Sequence, residues 1–281
     1  MPYPYARLDS FRDIPAYDDL TSPDIAAAVA AGAHVIVPCC ATEAHGAHLP
    51  LGTDTIQGMD MCRRAVHRLQ QEGIPLILGP AIPFGPKAIL TESPREFPGT
   101  INIAHDTLKC LVRDICQQLV GQGFRVVYLL CGHAESDPVL QIVAKEVSEM
   151  TEASVVTLQW LVGIQPGYKG VMRSEKPQGH AGEGETARML VTAPHLVRMD
   201  EARSYHPAIP PDPAPNDKMP YLGGAIGRYK YPPAVFENFD DGIWGDPQNA
   251  TEAVGEKSYA LITDWLCAAI RSEWRIWNPT T

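Results

Sequence analysis

The stretch from Thr42 to Asp54, TEAHGAHLPLGTD, places Glu43, His45, His48 and Asp54 directly behind the apolar run Val35, Ile36, Val37. Carboxylate oxygens and neutral imidazole nitrogens form a borderline donor set, which suits Zn, Mn or Fe(II) better than calcium or copper. Glu43 and His45 are two residues apart, so on an extended segment their side chains leave the same face. Gly46 and Gly52 supply turns through which Asp54 can swing back to meet them. A structural reading stands beside this one. Asp54 precedes a helical pattern (Ile56, Met59, Val66, Leu69) and fits the N-cap of that helix, and His48 fits a hydrogen-bonded structural histidine.

Two later stretches repeat the chemistry. His133 and Glu135 are again two residues apart, just after the apolar run Val126 to Leu130. His180, Glu183 and Glu185 crowd the entrance of a helical pattern, where the glutamates also suit the positive end of the helix. Glu43, His45, Asp54, His133 and Glu135 are more donors than one tetrahedral ion needs. Two ions about 3.5–4 Å apart, bridged by one carboxylate, would use them all.

The elements that must position these groups follow from periodicity. An alanine-rich helix from Pro23 to Ala33 stops at Gly32, and His34 to Cys40 follows as a buried strand. Thr55 to Gln71 reads as a helix, Ile74 to Leu78 as a second buried strand, and Pro80 to Gly99 as a long loop over the strand ends. Asp106 to Gln122 reads as a helix and Arg125 to Leu130 as a strand. A further helix has Pro138 in its first turn and Asp137 as its cap, and Ser154 to Trp160 reads as the last strand. Tyr205 to Pro220 is too rich in proline for a helix or a sheet interior, and Ala253 to Arg271 reads as the closing helix. Alternating strands and helices imply one α/β domain over residues 1–281, with a mostly parallel central sheet covered on both faces. Ligand sites in such sheets lie beyond the carboxyl ends of the strands, where both strand-to-helix loops fall.

Composition narrows the classes of partner. A formal net charge of −10 and a pI near 5.3 disfavour nucleic acid and anionic membranes, leaving small molecules. The start of the chain lacks a signal-peptide core and no apolar run is long enough to span a bilayer, so a cytoplasmic protein is expected. Seven cysteines without a Cys-x-x-Cys pair are read as reduced. Cys39, Cys40 and Cys131 border the loops, with small-residue packing favoured over a catalytic thiol.

The chain resembles the creatininase family of metal-dependent amide hydrolases. The likeness rests on Glu43-x-His45-Gly46-x-His48-Leu49-Pro50-x-Gly52-x-Asp54, on Gly132-His133-x-Glu135, on His180-Ala181-Gly182-Glu183-x-Glu185-Thr186, and on Gly245-Asp246-Pro247 with Ala250 and Gly255. The resemblance implies a three-layer α/β/α sandwich, two divalent ions per chain with Zn or Mn favoured over Fe, no organic cofactor, and a homohexamer. It implies that Glu43, Asp54 and His133 hold one ion and that His45, Asp54 and Glu135 hold the other. It places His180 near the substrate carbonyl and Glu185 beside the site.

The expected reaction is hydrolysis of a small, cyclic amide C–N bond. A water shared by two ions loses its proton near neutral pH and attacks the carbonyl carbon, while His180, with Glu135, delivers a proton to the leaving nitrogen. Opening of a lactone or a cyclic polyol ketone, or cleavage of a formamide, are the alternatives on the same site. Ala134 stands where creatininase has an aromatic residue, Lys176 where it has a tryptophan, and Cys131 where the family commonly has asparagine. Creatinine is therefore not the expected substrate. Arg173 and Lys176 suggest instead a cationic rim over the metals, the alternative being that both simply point into solvent.

Overall fold

The computed structural model describes residues 8–88, 97–176, 178–208, 232–236, 239 and 241–279. Four parallel strands form the sheet: β1 (His34–Cys39), β2 (Leu76–Leu78), β3 (Val126–Cys131) and β4 (Ser154–Leu158), in the order β2-β1-β3-β4. Every residue of β1, β2 and β3 is buried, as expected of parallel strands covered on both faces.

The helices are α1 (Ser22–Ala30), α2 (Thr53–Gln71), α3 (His105–Gly121), α4 (Asp137–Met150), α5 (Trp160–Gly163), α6 (Gln165–Val171), α7 (Glu183–Thr192) and α8 (Glu252–Trp277). After β1 the chain crosses through α2 to β2 on one side, and after β3 it crosses through α4 to β4 on the other. Right-handed crossovers running in opposite directions put α2 and α4 on opposite faces of the sheet. Accordingly α3 packs with α4, while α2 packs with α7 and α8. The result is an α/β/α sandwich whose strand order reverses between β1 and β3, and crevices form at such a reversal.

The register carries that crevice to the site. Cys39 of β1 lies opposite Cys131 of β3, and the Cys39 carbonyl accepts from the N–H groups of both Gly132 (2.8 Å) and His133 (3.2 Å). The two loops therefore start side by side. Pro38, with no N–H to give a ladder, sits opposite Leu130 of β3 in a central strand, at the point where pairing with β2 is interrupted. Gly79 donates to Ile36 O and Ile82 to Pro38 O, three residues against two, so the chain leaving β2 bulges at this point.

Some elements differ from the sequence reading. Helix α2 begins at Thr53, which puts Asp54 inside its first turn, with Gly52 at the N-cap position instead. Trp160 opens α5 and does not end a strand, and α5 and α6 were not foreseen because Gly163, Gly167 and Gly170 depress helix propensity there. The last helix extends beyond Arg271 to Trp277. The proline-rich stretch lies outside the described residues from position 209 to 220. Its first residue, Tyr205, pairs with Gly245 through two backbone hydrogen bonds (3.1 and 2.7 Å). Among the described residues no helix is long and apolar enough to cross a membrane.

Candidate metal centre

The loop after β1 folds back on itself through a bridge between His45 and Leu49. Gly46 makes the turn with φ +69°, and a side chain there would press on the His48 ring and on Ile243. Thr53 ties the start of α2 to the loop by donating to the Pro50 carbonyl (2.6 Å). Asp54 then faces the crevice from the first helical turn, where the backbone favours a carboxylate.

Glu43, His45, Asp54, His133 and His180 converge, each 6% exposed or less. His133 Nδ1 lies 3.1 Å from Glu43 Oε1 and 3.4 Å from Asp54 Oδ2. His45 Nε2 lies 3.1 Å from Asp54 Oδ1 and 3.7 Å from Glu185 Oε2. His180 Nδ1 lies 3.8 Å from Glu43 Oε1, and its ring sits 4.2 Å from that of His45.

Each imidazole is aimed by a backbone carbonyl. His45 Nδ1 bonds Glu43 O (3.1 Å), His133 Nε2 bonds Pro86 O (3.0 Å), and His180 Nε2 bonds Ala44 O (2.7 Å). A carbonyl only accepts, so each of these nitrogens carries a hydrogen, and the second nitrogen of each ring is left facing carboxylates. That arrangement orients histidines that ligate metals. Glu43 Oε2, His45 Nε2 and Asp54 Oδ2 are buried without a hydrogen-bond partner, which is costly unless a cation completes them. Donor atoms gather in three triads among the described residues: Glu43, Asp54, His133; His45, Asp54, Glu185; and Glu43, His45, His180. The donor set fits divalent ions.

Charge explains how the bare protein tolerates the cluster. Burial alone would keep His45 neutral, but Asp54, Glu185 and Glu43 outweigh it and raise its pKa to about 10. Burial likewise opposes protonation of His133, and Glu43 and Asp54 reverse this to hold its pKa well above the ordinary value. Burial opposes ionisation of both carboxylates, yet His45 and His133 keep Asp54 below the usual range and His133 and His180 do the same for Glu43. Protons on the imidazoles thus occupy the role a metal would take.

The third motif forms the remaining wall. Ala181 has φ +51°, the left-handed region, and is the only such non-glycine among the described residues. Its N–H donates to Glu185 Oε2 (2.6 Å), which brings that carboxylate toward His45. His180 pairs with Trp244 through backbone bonds of 3.1 and 2.8 Å. Glu183 points elsewhere: it is fully buried and accepts from the backbone of Arg173 (2.8 Å) and Ser174 (2.7 Å), anchoring the loop before the motif.

A cavity opens over the cluster, lined on its apolar side by Ala88, Ala134, Trp160 and Leu161. Glu135 also lines it, from a 3-10 turn (Ala134–Ser136), and belongs to none of the three donor triads. Glu185 is the carboxylate found beside His45 and Asp54. His48 is fully buried outside the triads and bonds Thr186 of α7 (2.9 Å); burial, then the His45 cation, lower its pKa to about 4. Burial holds the thiols of Cys39, Cys40 and Cys131 protonated by raising their pKa values, in keeping with packing. Arg173 and Lys176 are exposed and absent from the cavity lining, and Arg173 turns to the Asn249 carbonyl (3.4 Å). Sequence reasoning missed Trp160 and Arg188, because an apolar ring and a helical arginine carry no spacing signal.

Residues 18–270 match the family model described as creatininase, creatinine amidohydrolase. A mycofactocin precursor peptide peptidase of Mycobacterium tuberculosis is 28% identical over 260 residues, covering 90% of each chain. A creatinine amidohydrolase of Pseudomonas putida is 29% identical over 218 residues, covering 72% of this chain and 80% of the relative. Among solved structures, creatinine amidohydrolase (creatininase) superposes with a TM-score of 0.73 at 25% identity, covering 92% of this chain and 96% of the other. A form described as creatininase Mn gives 0.71 at 25% identity, covering 92% and 97%.

Proposed function

The chain belongs to the creatininase family of hydrolases, and from that premise we propose that it hydrolyses the amide C–N bond of a small substrate at a two-ion centre. The observation that carries this reading is the set of three imidazoles, each fixed by a backbone carbonyl and turned onto buried carboxylates at the floor of a cavity. Glu43, Asp54 and His133 would hold one ion. His45 and Asp54 would hold the other, with Glu185 beside them and Glu135 facing from the cavity lining as the carboxylate that family resemblance implies. Ions so held, Zn or Mn in the reading favoured here, supply Lewis acidity, which acidifies water toward neutral pH and polarises a carbonyl.

The chain's own residues do the rest. His180 lines the cavity and, anchored at Nε2, presents Nδ1 beside Glu43, where it would take up the proton that the attacking water gives up and pass it to the leaving nitrogen. Glu135, on the same cavity, gives a second group for moving protons. Ala88, Ala134, Trp160 and Leu161 form a surface for the substrate's apolar portion and exclude water from it.

The test is metal analysis of the purified protein followed by a screen of the loaded enzyme on cyclic amides, formamides, short peptides, lactones and cyclic ketones. Ammonia or amine release is the expected result. Turnover of lactones or ketones alone would replace the amide reading by ring opening. In creatinine itself, kcat/KM should stay below about 10⁴ M⁻¹s⁻¹, the low end for a natural substrate.

Loading the bare protein should release protons. His45, with its pKa near 10, and His133, raised well above its ordinary value, both hold a proton at pH 7 and must give it up to bind through that nitrogen. Apparent affinity should therefore climb as pH rises from 7 toward 10. Calorimetry at pH 7 in buffers of different ionisation enthalpy reads the release directly, and a heat independent of buffer would contradict it.

The resemblance also supports a homohexamer. Sedimentation equilibrium at micromolar concentration should give an assembly of six, and a stable monomer would refute it.

A further inference from the structure

A second cavity adjoins the first. Leu161, Gly179, His180 and Glu185 line both, while Tyr168 and Arg188 line only the second. Arg188 is 1% exposed, and its hydrogen-bond partners among the described residues are neutral: Nε donates to Gln57 Oε1 (2.7 Å), and Nη1 to Ser258 Oγ (3.0 Å) and the Tyr168 hydroxyl (3.3 Å), while the Glu185 carboxylate acts on it only through its charge. Its Cζ lies 4.8 Å from the centre of the Trp160 ring, and Nη2 has no hydrogen-bond partner among the described residues. Glu185, one turn earlier on α7, accepts at Oε2 from the Ala181 N–H (2.6 Å) and faces His45 Nε2 with the same oxygen (3.7 Å).

A buried guanidinium hydrogen-bonded only to neutral acceptors bears a desolvation cost that they, and the charge of Glu185 nearby, only partly offset. With Nε and Nη1 already engaged, the Nη2 arm is left to donate, and a guanidinium N–H is well matched to a carboxylate oxygen. Gly184, which lines the same cavity, lets the Tyr168 hydroxyl approach the helix backbone and reach Arg188, since any side chain there would collide with that hydroxyl. Residues three apart on a helix share a face and lie about 4.5 Å apart along the axis, so Arg188 stands about one turn from the carboxylate beside the donor cluster.

We propose that Arg188 is the anion anchor of the site, receiving a carboxylate carried by the amide substrate, as in an acylated amino acid or a peptide with a free C-terminus. This rests on the amide-hydrolase reading for its chemistry, but binding can be read separately.

The experiment uses the full chain loaded with Mn and the matched probes N-acetylglycine and N-acetylglycinamide, with a dipeptide and its C-terminal amide as a second pair. In the wild type, kcat/KM should favour the acid member at least tenfold. Arg188→Gln should bring acid and amide within about twofold, mainly through KM of the acid, and Arg188→Lys should keep part of the preference. Titration calorimetry should show acid binding to the wild type that Arg188→Gln loses. If the wild type binds and hydrolyses the amide members as well as the acids, the anchor is overturned while the hydrolase reading stands. If acids bind through Arg188 and none is hydrolysed, the anchor stands and the hydrolase reading falls. Because the acid-to-amide comparison is made first on the wild type, a variant that fails to fold does not remove the test.

Discussion

Replacing Asp54 by alanine is expected to strip at least one ion from the protein and to abolish nearly all turnover. Its two oxygens face different imidazoles, Oδ1 toward His45 at 3.1 Å and Oδ2 toward His133 at 3.4 Å, and it belongs to two of the three donor triads. Groups that merely orient a ligand cost about 10–100-fold in metal affinity when removed, so a donor shared between ions should cost more than about 100-fold. Asp54→Asn separates charge from shape: the amide fills the same space but supplies no anion to hold a second cation. Elemental analysis after dialysis checks both variants. Full occupancy with two ions in either would sink the bridging assignment.

The His180→Ala variant should keep its metals and lose about 10²–10⁴ in kcat, the usual contribution of a positioned proton-transfer group. The same histidine also joins Glu43 and His45 in the third donor triad, so the alternative is real: a ligand in place of a proton donor. Metal content decides between them. A variant that retains both ions and loses one limb of the pH–rate profile supports proton transfer; one that comes out short of metal makes His180 a ligand.

How much of this could be read from residues alone depends on how local the information is. The strands were legible because β1, β2 and β3 are buried on both faces and must be apolar throughout. The placement of the two loops followed from strand order, since alternating elements force the carboxyl ends together. Spacing within a loop was a weaker guide. Two-residue separation means a shared face only in extended chain; this served for Glu43 and His45, whereas Glu135 sits in a 3-10 turn, which removes that warrant. Glu185 stands beside His45 only because Ala181 adopts a left-handed backbone and hands its N–H to that carboxylate, and alanine gives no warning of such a conformation. Glu183 looked like one more acid at a helix entrance, and what distinguishes it is two backbone donors supplied from the preceding loop. Arg188 gained meaning only from what surrounds it after folding.

The order in which the donors occur along the chain has a consequence for biosynthesis. Glu43, His45 and Asp54 leave the ribosome together, within one loop and the first turn of α2, whereas His133 and Glu185 come much later, after β3 and in the first turn of α7. At translation rates of about 5–20 residues per second, the interval before Glu185 appears is on the order of ten seconds. For that time the nascent chain displays a half-built chelator, carrying one imidazole and two carboxylates on the proposed ligand set. Irving–Williams preference would then favour whichever strong-binding ion is most available, before the crevice exists to impose its own geometry. Metal identity in purified protein should thus depend on the growth medium, and reloading the folded chain is the cleaner measure of what the finished site selects.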